Sequence, residues 1–156
     1  MRLSEHASMT LVETADIGNT NAVSGYITMK NYDRAVAYIE LGTWNSSDDL
    51  DEGRIEQAQD SGGTAVKDVT TDGVGLNYDS ANPIDADGDF LIIEIRAEDL
   101  DVDDGFDFIR SFTGEGGNNG VDNVTTTLVR YGYAYPQAEL QGAAVTGAKI
   151  YVDTGT

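Results

Sequence analysis

Apolar residues in this chain come in short runs, each cut off by a cluster of Gly, Asn, Asp or Ser. Eighteen glycines are spread along its 156 residues, against only two prolines, Pro83 and Pro136. Nowhere does the i, i+3, i+4, i+7 spacing of an amphipathic helix persist over a long segment. Such punctuation belongs to many strands joined by turns. It predicts an all-β chain, a single-domain antiparallel β-sandwich of jelly-roll-like type with less regular terminal arms.

Residues 34–41 are the clearest strand, with Val36, Tyr38 and Glu40 on one face and Ala35, Ala37, Ile39 and Leu41 on the other. Residues 91–96 are the second. Their near-continuous run of branched apolar side chains predicts a strand covered on both faces or central in its sheet. The third spans 124–133, rich in β-branched and aromatic residues. Shorter strands are expected over 10–15, 25–29, 54–59, 65–69, 106–112 and 149–152. Turn signals fall at Asp60 to Gly63, Asp72-Gly73, Asp87-Gly88, Asp104-Gly105 and Gly114 to Gly120. With no internal repeat, the chain divides into an N-terminal arm (1–24), a sandwich core (25–136) and a C-terminal arm or final strand (137–156).

Charge narrows the function classes. Nine basic residues against 28 acidic ones give a net −19. Nucleic-acid phosphates and anionic lipid both require clustered Lys and Arg, so neither is an expected partner. Cysteine is absent and His6 is the single histidine. Thiolate chemistry, Cys-ligated zinc and histidine-based triads are thereby excluded. No G-x-S-x-G, Walker loop, H-E-x-x-H or dinucleotide fingerprint occurs, and no enzyme activity or cofactor is expected. No apolar run approaches the roughly 20 residues that span a bilayer, and the first ten residues lack the apolar core of a secretory signal. Abundant Asp with only three lysines, Lys30, Lys67 and Lys149, suits a protein working in concentrated salt. There the Debye length falls to about 3 Å and self-repulsion fades.

Two constellations stand out. Asp85, Asp87 and Asp89 alternate as calcium ligands do. An EF-hand loop started at Asp85 would carry Phe90 where Gly is needed and Arg96 where Glu is needed. The series from Asp99 fails likewise, with Arg110 at its twelfth position. A hydrated acidic turn without metal is the expectation for both. Tyr131, Tyr133 and Tyr135 alternate, so one strand would present all three on one face as an interface or a sugar-stacking stripe.

The stretch Met29-Lys-Asn-Tyr-Asp-Arg-Ala35, then Ile55-Glu-Gln-Ala-Gln-Asp-Ser-Gly-Gly-Thr64, Leu100-Asp-Val-Asp-Asp-Gly-Phe106 and Leu128-Val-Arg-Tyr-Gly-Tyr-Ala-Tyr135, resembles a family of small virion head proteins. Its members occur in tailed bacteriophages and tailed archaeal viruses. The resemblance covers roughly residues 25 to 136. It implies a decoration, cement or turret protein on the outer capsid surface, from a virus of a halophilic host. The implied partners are the major capsid protein and further copies of this chain, with a trimer ahead of capsomer-centred pentamers or hexamers. The competing reading is a carbohydrate- or cell-surface-binding β-sandwich, with or without calcium. Locally, each motif also has a structural use: Asn31 and Asp33 bend the chain, and Gly63 and Gly105 supply positive φ.

Overall fold

The computed structural model describes residues 7–18, 20–45, 50–71, 74–75, 84–115 and 121–132. Among these the strands are β1 (Ala7–Asp16), β2 (Asn21–Val23), β3 (Ile27–Thr28), β4 (Arg34–Leu41), β5 (Leu50–Ala58), β6 (Lys67–Asp68), β7 (Thr70–Thr71), β8 (Val74–Gly75), β9 (Phe90–Arg96), β10 (Phe108–Glu115) and β11 (Asn123–Tyr131). Two short 3-10 turns, Ala97–Asp99 and Val102–Asp104, link β9 to β10.

All pairings are antiparallel. Sheet A has the order β1-β11-β4-β9, and sheet B the order β2-β10-β5-β6, with β3 also pairing β10. Strands β7 and β8 form a separate two-stranded ribbon. The two main sheets stack because each has one apolar face. In β4 the odd positions, Ala35, Ala37, Ile39 and Leu41, are buried while Arg34, Val36 and Tyr38 are half-buried and Glu40 is exposed. Period-two alternation puts those two sets on opposite faces of the pleat. Ile93 and Ile95 of β9, Val124 and Leu128 of β11, Ile55 of β5 and Ile109 of β10 complete the core.

Several polar groups that face inward are held by contacts across the fold. The Thr113 and Thr126 hydroxyls lie 3.5 Å apart across the two sheets. Gln57, 1% exposed, accepts from the Asp101 N–H at 2.9 Å and donates to the Asp68 carbonyl at 3.2 Å. It thereby ties the loop after β9 to the far edge of sheet B. An unpaired buried amide would cost roughly 1–3 kcal/mol, so these contacts fix where the sheets can sit.

The all-β class, the antiparallel pairing and the two-sheet arrangement follow the sequence reading. Two placements differ. Residues 7–16 pair with β11 and Asn21–Val23 joins β10, so most of the segment read as an N-terminal arm is built into the sheets. Strand β1 supplies partners along the second hydrogen-bonding edge of β11, which composition alone does not reveal. Strand β9 is neither covered on both faces nor central: it is an edge strand, with β4 on one side and no described strand on the other. Its inner residues Ile93 and Ile95 are buried, yet Phe90 and Ile92 are each 55% exposed. The strand expected over 149–152 and the C-terminal arm 137–156 lie outside the described residues.

Three of the segments singled out in the sequence contain tight turns. Asn31 bends the chain through its own backbone, at φ 72°, and Tyr32 packs beneath it, 6% exposed. Asp60 accepts from Gly62 N–H at 2.9 Å, Thr64 N–H at 3.1 Å and the Thr64 hydroxyl at 2.6 Å, and those bonds hold its carboxyl below the ordinary aspartate value. Gly105, at φ 84°, lets Phe106 re-enter the core.

Candidate functional site

The two outward faces of the sandwich differ in chemistry. On sheet B, Glu56 is 4% exposed and is held from both sides. Arg54 Nη2 approaches its Oε1 at 2.8 Å and Arg110 Nε its Oε2 at 2.7 Å. Arg54 also bonds Glu52 and, at 3.0 Å, Asp68. Its guanidinium lies 3.6 Å from the Phe112 ring centre, and that of Arg110 lies 4.7 Å from Tyr26. This face is clothed by its own charge and aromatic network.

Sheet A presents the opposite. Register sets its outward side chains in rows: Tyr131, Arg34 and Arg96; Val129, Val36 and Glu94; Thr127, Tyr38 and Ile92; Thr125, Glu40 and Phe90. Between the first row and the last lie Val129, Val36, Thr127, Tyr38 and Ile92 with Glu94 the one charge among them, and Phe90 stands beside Glu40. Tyr38 and Phe90 stack on each other, ring centres 5.4 Å apart and planes 27° from parallel. Exposed apolar groups standing together on the outside of a sheet mark an interaction surface more often than isolated ones do.

One end of this surface is a small polar cluster. Arg34 and Arg96 are direct cross-strand partners, a like-charge pairing that costs stability by itself. Glu94 lies in the next row and relieves it: Arg34 Nη1 is 2.9 Å from its Oε1, and the Tyr131 hydroxyl donates to the same oxygen. Glu98 takes Arg96 at 2.8 Å. The Tyr131 hydrogen bond first, and Arg34 second, hold the Glu94 carboxyl below its ordinary value. Burial, then Glu94, pushes the Tyr131 phenol up. Beside the cluster, Asp33, Arg34, Arg96, Ala97 and Glu98 line an open notch of about 410 Å³. Arg96 there pairs with Glu98, and Arg34 with Glu94 beyond the notch; it is a groove in the surface instead of an enclosed chamber.

The residues singled out by sequence fall as follows. Asp87 Oδ1 accepts from the Trp44 N–H at 2.7 Å, and Asp89 Oδ2 from the Asp85 N–H at 3.4 Å. These carboxylates are turn clamps, and among the described residues no three acidic or histidine side chains converge as a metal group. In the second acidic loop Asp99 Oδ2 accepts from the Arg96 N–H at 2.7 Å, and Asp101 pairs with Lys67, which lowers the Asp101 pKa. Tyr131 is on the outer face of sheet A, whereas Tyr133 and Tyr135 lie outside the described residues. Sequence reasoning missed Tyr38, Phe90 and Ile92 as a surface. The signal was present in the apolar residues on both faces of β9, but a doubly covered central strand and an edge strand with a bare outer face share that pattern.

No helix among the described residues is long and apolar enough to cross a membrane. Comparison with protein families, curated proteins and solved structures finds no match to this chain.

Proposed function

We propose that this chain is a non-enzymatic virion structural protein that sits on the outer capsid surface of a tailed virus and decorates or cements the shell. The observation that carries the reading is the patch of Tyr38, Phe90 and Ile92 on the outer face of sheet A, with Phe90 and Ile92 exposed, on a protein of net charge −19. Phe90 and Ile92 each contribute about 1 kcal/mol when their exposed half is covered, so one face gives a weak grip and many copies give a firm one. The motifs shared with small head proteins support the same reading, since here they shape turns and build no reactive site. A packed genome pushes outward, and a protein bridging neighbouring subunits raises the cost of separating them. The partners are the major capsid protein and further copies of this chain; its acidity disfavours nucleic acid and anionic membrane. The same acidity suits a host living in concentrated salt.

A second reading rests on the Tyr38–Phe90 surface, flanked in its rows by Glu40, Thr125 and Thr127. Aromatic surfaces edged by hydrogen-bonding groups stack on sugar rings, so this face would serve a carbohydrate-binding sandwich equally well. Gel densitometry of purified particles separates the two. A cement protein is present in proportion to the major capsid protein, and a cell-surface binder only in the few copies a tail carries.

A further inference from the structure

We propose that the edge of β9 that no described strand pairs binds the same edge of a second copy of this chain, about a two-fold axis at Ile93, and joins two four-stranded sheets into one. The proposal deepens the reading above and rests on its claim that the protein works as a homo-oligomer.

The backbone makes the edge available. Ala97 N–H donates to the Asp33 carbonyl at 2.8 Å, next to the Arg34–Arg96 partners. Antiparallel alternation then turns the N–H and C=O of Leu91, Ile93 and Ile95 toward β4 and those of Ile92 and Glu94 away from it. Arg96 N–H is taken by Asp99, which leaves Ile92 and Glu94 as the outward pairing groups. Edges that must stay solitary carry Lys, Pro or a bulge. Residues 90–96 carry none of these, keep unbroken register with β4, and expose Phe90 and Ile92.

Charge selects a second copy as the occupant. At −19, most of the surface repels another copy. On the outward rows of β4 and β9, Arg34 and Arg96 balance Glu40 and Glu94: the arginines hold one end with Glu94 beside them, and Glu40 holds the other. Only an antiparallel, two-fold apposition brings each end against its opposite. A register centred on Ile93 sets Ile92 against Glu94 of the second copy, so each exchanges two backbone hydrogen bonds. It sets Arg96 over Phe90 of the second copy and toward its Glu40. Arg96 leaves only an exposed contact with Glu98, a kind worth little in water. A register centred on Glu94 would place like charges together and is rejected. Because the contact is two-fold, a ring of three would be linked to its neighbours by it and not closed by it.

The test is mass by light scattering in molar NaCl, with hydrogen exchange on the unaltered chain. The expected mass is an even multiple of the 16.7 kDa chain. Ile92→Pro, which removes an outward N–H, and Ile92→Glu, which crowds carboxylates at the axis, should each halve it with unchanged circular dichroism. Exchange at the Ile92 and Glu94 amides should slow at least tenfold as protein concentration rises. A single-chain or odd-multiple mass, an even multiple that both variants leave intact, or fast exchange at every concentration overturns the contact. A paired protein absent from shells sinks the functional reading alone. A shell-bound protein whose mass ignores both variants sinks this contact alone.

Discussion

Aspartate in this chain is first a builder of turns. Asp16 accepts from Gly18 and Asp122 N–H groups, Asp122 from Asn45, Asp87 from Trp44 and Asp60 from Gly62 and Thr64. Each bond offers a loop amide the partner that a sheet would otherwise supply. Asp87→Ala should therefore cost about 1 kcal/mol by freeing the Trp44 amide, whether or not calcium is present. Thermal melts with and without millimolar calcium at fixed ionic strength check this. A calcium-dependent rise in Tm that the variant abolishes would contradict it. Glu56→Gln should cost about 2 kcal/mol, because two arginines packed on aromatic rings lose a buried counter-charge while Glu52 and Asp68 still serve Arg54; urea unfolding measures it. Glu94 gives a pH signature. Its folded pKa lies below the unfolded value of about 4.3. Its contribution to stability is therefore full above that value and fades as pH falls through the folded one. Tyr131→Phe should move the Glu94 titration, followed by carbon NMR, upward toward the ordinary value. A titration that stays put would show that the phenol does not hold it.

At the level of elements, strand existence was far more legible than strand position. Residues 34–41 are read correctly to the residue, because alternation in β4 is clean and both ends carry turn residues. The Asp104-Gly105 turn signal is equally local, and the chain turns there through Val102–Asp104 with Gly105 at positive φ. What failed is relational. The first half of strand β9 is apolar on both faces, and only Glu94 and Arg96, alternating on the outer side, mark that one face is open. Strand β1 lacks a sharp pattern because it is held along its length by pairing with β11. Edges, partners and sheet order are set by distant contacts that periodicity does not encode. The candidate surface was hidden for the same reason, since its rows collect residues from three strands. The face assignment has a direct consequence for stability. Ile95→Ala, on the buried side of β9, should cost roughly 2–4 kcal/mol. Ile92→Thr, three residues away on the outer side, should change the stability of the dilute protein by about 0.5 kcal/mol or less. Chemical denaturation at low protein concentration compares them, and equal costs would mean that β9 is covered on both sides. Gly63, at φ 83°, has a tighter limit: a Cβ there would come within 2.8 Å of the Tyr26 ring. Gly63→Ala should thus lower stability by about 1–3 kcal/mol, read in the same assay.

For the molecule as a whole, charge and shape act together. Self-repulsion at −19 opposes compaction, and salt at molar levels screens it over about 3 Å. Circular dichroism melts should show Tm climbing from low to molar NaCl, and an unchanged or higher Tm at low salt would remove the case for a saline setting. The outer face of sheet B is covered by an ion-pair and aromatic network around a buried Glu56, and that of sheet A exposes Phe90 and Ile92 beside its charged end, so the sandwich has a definite side to offer a partner. In the proposed role this side meets the shell, and a reconstruction of the purified virion that resolves individual strands tests it. The expected result is density for the sandwich over the capsid lattice, with Tyr38, Phe90 and Ile92 turned onto the major capsid protein. Sandwiches confined to the tail, or set on the shell with sheet A facing solvent, would contradict it.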